Sequence, residues 1–483
     1  VTHEMTTRVH AFGDDALGDL DSVGVAAAVA DGRISAREAA EAAIARVELV
    51  NPSLNAVQRP DYERALAAVE RTPTGLLAGV PTFVKDNTDV AGLPSDQGSL
   101  AVKARPATAN APFTDQLLSA GLTVLGKSTM PEFGFNATTE YATLPPTRNP
   151  WHTGYSAGAS SGGAAALVAS GAVPIAHAND GGGSIRIPAA ACGLVGLKPT
   201  RDRVVPAAES ATLPVDIVSN GVLTRTVRDT AHFMAATQAY RPAPGMRPLG
   251  LVEGPADRRL RIGLILDSVT GIATDEDTRQ AVLSAADLLG SLGHDVMEVE
   301  LPVDRRFMED FKHYWGLLAF ATQHFGRKVM SPDFDKTLTD PLTRGLARQF
   351  VRRAWRTPMA IAGLKRSTAA YRAAFEDVDL IVSPTLGYTT PELGYLSPAV
   401  EPFSLMFERL VRYAAFTPLN NASGGPAVSL PLGRSSAQMP IGVHFSADHG
   451  DEQTLLEIAY ELESAQPFAR IQDPRGSTEV LVP

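Results

Sequence analysis

Residues 158–200 are rich in glycine, serine and small apolar side chains and carry few charges. The stretch opens with Gly158-Ala159-Ser160-Ser161-Gly162-Gly163. It continues through Asp180-Gly181-Gly182-Gly183-Ser184-Ile185-Arg186 and closes with Gly193-Leu194-Val195-Gly196-Leu197-Lys198-Pro199-Thr200. Glycines let successive backbone N–H groups converge on one point, and serines place hydroxyls beside them. That combination suits a nucleophile with an oxyanion site.

A serine nucleophile needs a base, and histidine is hard to place. His177 lies seven residues before Ser184, where a packed core residue fits as well, and His152 sits in a Pro-rich loop. Lysine is scarce, with eight Lys against 35 Arg. Arg keeps its charge in proteins, whereas a buried Lys loses its proton more readily. Lys85 ends the apolar run Gly79-Val80-Pro81-Thr82-Phe83-Val84. It qualifies as a base if burial lowers its pKa from about 10.4, with a second serine carrying the proton between base and nucleophile.

Each feature also has a plain structural reading. Gly154-Tyr155-Ser156-Ala157-Gly158 matches G-x-S-x-G literally, but Leu144-Pro145-Pro146 through Pro150 upstream is no central strand, so the nucleophile-elbow context is missing. Ser160 or Ser161 suits the N-cap of an Ala-rich helix. The three glycines before Ser184 suit a tight turn, and Lys85 alone suits a snorkelling lysine. No Gly-Lys-Ser/Thr follows the Ser-Ser-Gly-Gly, which excludes a P-loop.

The elements that must position these residues alternate between helix and strand. Two helices are expected over 19–51, the second opened by the capping box Ser35-x-x-Glu38 and ending at Asn51-Pro52. Strands are expected near 79–86, 122–127 and 173–176, with an Ala-rich helix over 162–170. A Pro/Gly-rich connection spans 238–260. Beyond it come strands near 261–266, 295–300, 379–383, 426–432 and 441–445 and a helical region over 305–377. This rhythm indicates an α/β layered fold.

Composition narrows the function. The 483 residues are 44% hydrophobic and 20% charged, which suits a globular protein with a substantial core. A net charge of −10 without a basic cluster argues against nucleic acid as a partner. No apolar run is long enough for a membrane span, and Val1 to Ala11 shows no secretory h-region, so the cytoplasm is the expected location. A single cysteine, Cys192, excludes an internal disulfide and a thiolate metal cluster. No cofactor or metal is expected, and a homodimer is the default assembly.

These residues resemble the amidase signature of the amidase-signature hydrolases. The likeness rests on Ser160-Ser161-Gly162-Gly163, Asp180-x-Gly182-Gly183-Ser184-Ile185-Arg186-x-Pro188-Ala189 and Cys192 to Thr200, with 24 residues between Ser160 and Ser184. Gly79-Val80-Pro81 with Lys85-Asp86, Gly126-Lys127 with Met130-Pro131-Glu132-Phe133, Val227-Arg228-Asp229, Ser383-Pro384-Thr385 and the 423–431 block also fit. The likeness runs from about Leu20 to Phe468.

The resemblance implies one amidase domain over 1–483, with a large mixed, twisted central sheet sandwiched between layers of helices. The parts would be the helices of 19–51, a signature core of about 79–235, the 238–260 connection, a C-terminal part over 261–468 and a tail over 469–483. It implies Ser184 as acyl nucleophile, Ser160 as bridging serine on a cis peptide and Lys85 as base. Ser161 would support the lysine. The N–H groups of Gly181, Gly182, Gly183 and Ser184 would form the oxyanion site, and Asp180 and Arg186 would hold the loop. The implied reaction is hydrolysis of a small-molecule amide. Three readings stand beside it: the glutaminase subunit of a tRNA-dependent amidation complex, a cyclic or linear oligoamide hydrolase, and a non-catalytic or differently reactive hydroxyl-rich binder.

Ala159 and Gly181 depart from residues common in the family, which affects the shape of the site. Arg148-Asn149-Pro150-Trp151 and Ala176-His177-x-Asn179-Asp180 are similar to the branch containing 6-aminohexanoate cyclic-dimer hydrolases, and point to amides with apolar acyl chains. The expected acyl pocket draws on Phe133 to Thr138 with Trp315, Phe320 and Phe416.

Overall fold

The strand ending in Lys85 docks beside the edge of an eight-stranded sheet, and this docking assembles the site. The computed structural model describes residues 8–70, 74–208 and 210–473. Residues 1–7 and 474–483, which hold most of the N-terminal leader reading and of the tail, lie outside them.

The sheet runs in the spatial order Asp295–Glu298, Arg261–Leu264, Leu380–Pro384, Pro440–Ser446, Ala427–Arg434, Val195–Lys198, Ser219–Thr224 and Ile175–Asp180. The first three strands are parallel and every later pairing is antiparallel, so the sheet is mixed. Its inner strands are buried along most of their length, as their unbroken apolar runs require. A smaller sheet orders Val57–Pro60, Thr123–Ser128 and Pro81–Lys85.

Helices cover both faces of the large sheet. Gly433 pairs with Ile441, so Gly433 and Gly442 project to opposite faces. A Cβ on Gly442 would meet Ala190 of the helix Arg186–Cys192. A Cβ on Gly433 would meet Ala281 of the helix Glu276–Ser291. Glycine in these two strands is what lets a helix backbone lie close on each side.

Most of the expected elements form. Ser35 and Glu38 complete the capping box, but the helix runs from Ala36 to Leu54 rather than stopping at Asn51-Pro52. Pro52 falls in the last turn, and Asn51 Oδ1 then accepts the N–H groups of Ala56 and Val57 and turns the chain. The strands Val195–Lys198 and Ser219–Thr224 and the helix Arg186–Cys192 carried no clear sequence signal. Pro188 disguised that helix, although proline is tolerated in a first turn.

Among the described residues no helix is long and apolar enough to cross a membrane.

Candidate active site

Lys85 is fixed from two sides. Its strand pairs in parallel with Thr123–Ser128. On the other side Thr82 Oγ1 donates to Ile175 O at 3.0 Å, and the Lys85 N–H donates to His177 Nδ1 at 3.2 Å. The lysine side chain is 0% exposed. Its Nζ lies 2.7 Å from Ser160 Oγ, and it donates to Asn179 Oδ1 at 2.7 Å and to Asn179 O at 3.3 Å. Asn179 has no role that the sequence marks. An amide side chain two residues after a strand histidine carries no distinguishing local signal.

Ser160 and Ser161 sit where the chain enters the helix Gly162–Ala169. The Ala159–Ser160 peptide is cis. The helix itself is pressed into the core: a Cβ on Gly162 or Gly163 would collide with Thr139 or Thr129. Ser161 occupies the N-cap position, but its hydroxyl does not cap. It donates to Ser184 O at 2.6 Å and to Asn179 O at 3.4 Å. Ser161 thus shares the Asn179 carbonyl with Lys85 and ties the Ser160 segment to the Ser184 segment.

The glycine loop is held peptide by peptide. Asp180 O accepts from Asn421 Nδ2 at 2.8 Å, which fixes the Asp180–Gly181 peptide. Gly182 O accepts from Thr417 Oγ1 at 2.7 Å, and the Gly183 N–H donates to Asp180 Oδ1 at 2.6 Å, so both ends of one peptide are taken. This corrects the expectation for Gly183. Its N–H faces the Asp180 carboxylate, because the side chain folds back under the three-glycine turn, where Gly183 has φ +128°. The N–H groups of Gly181, Gly182 and Ser184 have no partner among the described residues.

Beneath the loop, Asp180 and Arg186 form a two-point ion pair, with Nε to Oδ2 and Nη2 to Oδ1 each 3.0 Å, at 0% exposure on both sides. Burial alone would raise the Asp180 carboxyl, but Arg186 and Asn421 hold it well below the usual carboxylate range. Arg186 spends its remaining donors on Asn420 Oδ1, Asn421 Oδ1 and the His444 ring nitrogen. Burial and the neighbouring Arg186 keep His444 neutral and push the buried Lys198 amine down to about 7. A buried charge is tolerated when its hydrogen bonds are filled. Asn420 and Asn421 fill them from more than 230 residues away.

The competing residues find structural work elsewhere. Ser156 ends a two-stranded ribbon with Arg148–Asn149 and is buried. Its Oγ lies 2.7 Å from Thr138 Oγ1 and accepts from Gly158 N, so it braces a turn. His177 is fully buried, and burial pushes it down to about 3. It is a neutral acceptor for the lysine strand. His152 accepts from Gly154 N beside Tyr155.

Ser184 and Gly182 open into a cleft with about 520 Å³ of free space including its mouth. The walls are mostly apolar and include Phe135, Ile187, Phe311, Trp315 and Leu410. Within the expected 133–138 segment, Phe135, Asn136 and Ala137 line the cleft, and Trp315 joins them. Phe133 packs against Phe334, and Thr138 hydrogen-bonds Glu140. Phe320 stacks on His324 and packs against Phe350, and Phe416 lines a separate cavity with Tyr371 and Ser383. Aromatic type alone could not separate Phe133, Phe320 and Phe416 from the lining.

This geometry lies inside a region that matches the Amidase family model, over residues 38–456. The chain belongs to the amidase family. The amidase is 48% identical over 471 residues to the putative amidase AmiC of Mycobacterium tuberculosis, covering 97% of this chain and 99% of the relative. It is 36% identical to the 6-aminohexanoate-cyclic-dimer hydrolase of a Pseudomonas strain, covering 93% and 95%. Its fold matches a 6-aminohexanoate cyclic dimer hydrolase solved with substrate at TM-score 0.82 and 32% identity, over 94% and 98% of the two chains. The amidase fold expected from the signature, α/β with a large mixed sheet, is the one this amidase has. As a member of a family of amide-hydrolysing enzymes, the amidase acts on carboxylic amides.

Proposed function

We propose that this amidase hydrolyses small amides through an acyl-enzyme on Ser184, with Ser160 as proton relay and Lys85 as base. The observation that carries this reading is the 2.7 Å approach of Lys85 Nζ to Ser160 Oγ, beside the loop that presents Ser184 to the cleft.

In the relay, neutral Lys85 takes the proton of Ser160 as Ser160 takes that of Ser184. Ser184 Oγ bonds to the amide carbonyl carbon. The negative oxygen then meets the unpartnered N–H groups of Gly181, Gly182 and Ser184, donors already fixed before reaction. The C–N bond breaks as the amine takes the proton back through the same serine. Water repeats the sequence and releases the carboxylate. The apolar walls suit an aliphatic or aromatic substrate portion, and the relatives named above support an amide of that kind. Identities of 48% and 36% to those relatives favour a self-contained hydrolase over an amidotransferase half.

The test is labelling with a fluorophosphonate probe, read by intact mass, alongside amide turnover. Wild type should gain one probe mass. Ser184→Ala should gain none and lose turnover by roughly 10³-fold or more. Lys85→Ala should label slowly and lose nearly as much turnover. A folded Ser184→Ala protein with wild-type turnover refutes the assignment.

A further inference from the structure

Beside the apolar cleft lies a larger groove, with about 2050 Å³ of free space including open solvent, against about 520 Å³ for the cleft on the same measure. Met308, Lys312, Phe407 and Val411 line both, so the two adjoin across these side chains and the groove is placed to serve as a vestibule of the Ser184 site. Three helical segments build it: Arg305–Val329, the C-terminal end of Pro341–Val351, and Phe403–Tyr413.

Its charge opposes that of the chain. Arg305, Lys312, Arg348, Arg352, Arg353 and Arg412 line the groove, against only Glu309 and Glu408. Glu309 is already bonded to Lys312. Arg412 lies over the Tyr388 ring. Arg305, Arg348, Arg352 and Arg353 form no ion pair among the described residues. In a protein of net charge −10, this gathers positive charge beside a cleft whose walls are mostly apolar. Elsewhere Arg37, Arg59, Arg228, Arg259 and Arg261 meet a carboxylate, whereas Arg247 and Arg306 are exposed without an ion pair among the described residues, so what sets the groove apart is the number of cations on one concave surface.

A concave surface lined by one sign of charge focuses its field on a small ligand. Arginine matches a carboxylate with two parallel hydrogen bonds. We propose that the vestibule is a carboxylate-binding subsite, and that this amidase takes amides whose end remote from the scissile bond is an anionic carboxylate. The apolar cleft then holds the intervening carbon chain. This rests on Ser184 being the reacting residue of the cleft.

The probes are mono-p-nitroanilides of linear α,ω-dicarboxylic acids of graded length, each compared with its methyl ester. Wild type should favour the free acid by about tenfold or more in kcat/KM at one optimal length, through KM, and 0.5 M NaCl should shrink that ratio. In Arg348→Gln/Arg352→Gln the acid-to-ester ratio should fall toward one. Binding of the same acids to Ser184→Ala, measured by calorimetry, reports on the vestibule without turnover. Tighter binding of acid than ester there, lost in the added double variant, supports the subsite even if hydrolysis by another residue sinks the Ser184 assignment. Equal KM and equal binding for acid and ester in low salt overturns it, as does an acid preference that survives the arginine substitutions.

Discussion

One buried arginine and one cluster of exposed arginines lie about the Ser184 cleft and obey opposite rules. Beneath the glycine loop, Arg186 is 0% exposed and bonds Asp180, Asn420, Asn421 and His444. At the mouth, Arg348, Arg352 and Arg353 face water without an ion pair among the described residues. The difference is solvation. A guanidinium taken out of water must have its donors filled by protein, whereas an exposed one is satisfied by water and stays available to a ligand. The first arrangement makes a rigid loop whose donors are fixed before substrate arrives. The second makes a receptive surface.

The sharpest way to break the contrast is Arg186→Leu. It leaves the Asp180 carboxylate buried without its cation and should cost about 3–5 kcal/mol, read as a drop in the denaturant midpoint. A loss below about 1 kcal/mol would show that the network is dispensable.

A second buried charge allows a milder test. Burial and the nearby Asp340 raise the Glu132 carboxyl to about 7, although Ser99 and Thr343 hydrogen bonds work against the rise. Between the ordinary glutamate value of 4.5 and about 7, the unfolded chain releases this proton while the folded protein keeps it. Stability from this residue is therefore full below about 4.5 and falls as pH rises through about 7. Glu132→Gln should flatten that part of the pH–stability curve by up to about 3 kcal/mol, measured by urea unfolding at several pH values. An unchanged slope contradicts the buried-carboxyl account.

Thr417→Val removes the bond that fixes the Gly182 carbonyl. It should lower kcat by about 3–10-fold with little change in KM, the equivalent of one hydrogen bond of about 1 kcal/mol. The smallest effect belongs to the mouth: Arg352→Gln should change stability by less than about 0.5 kcal/mol, since that side chain is exposed and forms no ion pair among the described residues. A loss of several kcal/mol there would make it structural and erase the contrast.

How much of this was legible depended on the range of the interaction. The capping box at Ser35, the apolar strand before Lys85 and the three-glycine run before Ser184 are local patterns, and the structure bears out their elements. The role of Ser161 was less legible: its hydroxyl leaves the helix it begins and reaches a carbonyl 23 residues on. Gly183 misled because an N–H in a glycine run looks free until the Asp180 side chain folds under it.

The amidase reading rests on the resemblance of residues 158–200 and the flanking motifs to the amidase signature; residue types alone pointed to a serine nucleophile beside an oxyanion site and left several serines open. The sequence by itself also made lysine worth weighing. It did not single out one lysine by physics alone, since Lys85, Lys127 and Lys198 are all 0% exposed. Lys127 reaches Thr88 O and Ser95, Lys198 reaches Pro199 O, and Lys85 alone of the three lies against Ser160. Tertiary structure decided that, along with the service of Asn179, Asn421 and Thr417 and the gathering of six cations at the mouth. The physical reason is that hydrogen bonds and fields act through space. A residue's neighbours along the chain report its backbone preference, and only the packed fold brings its partners within reach.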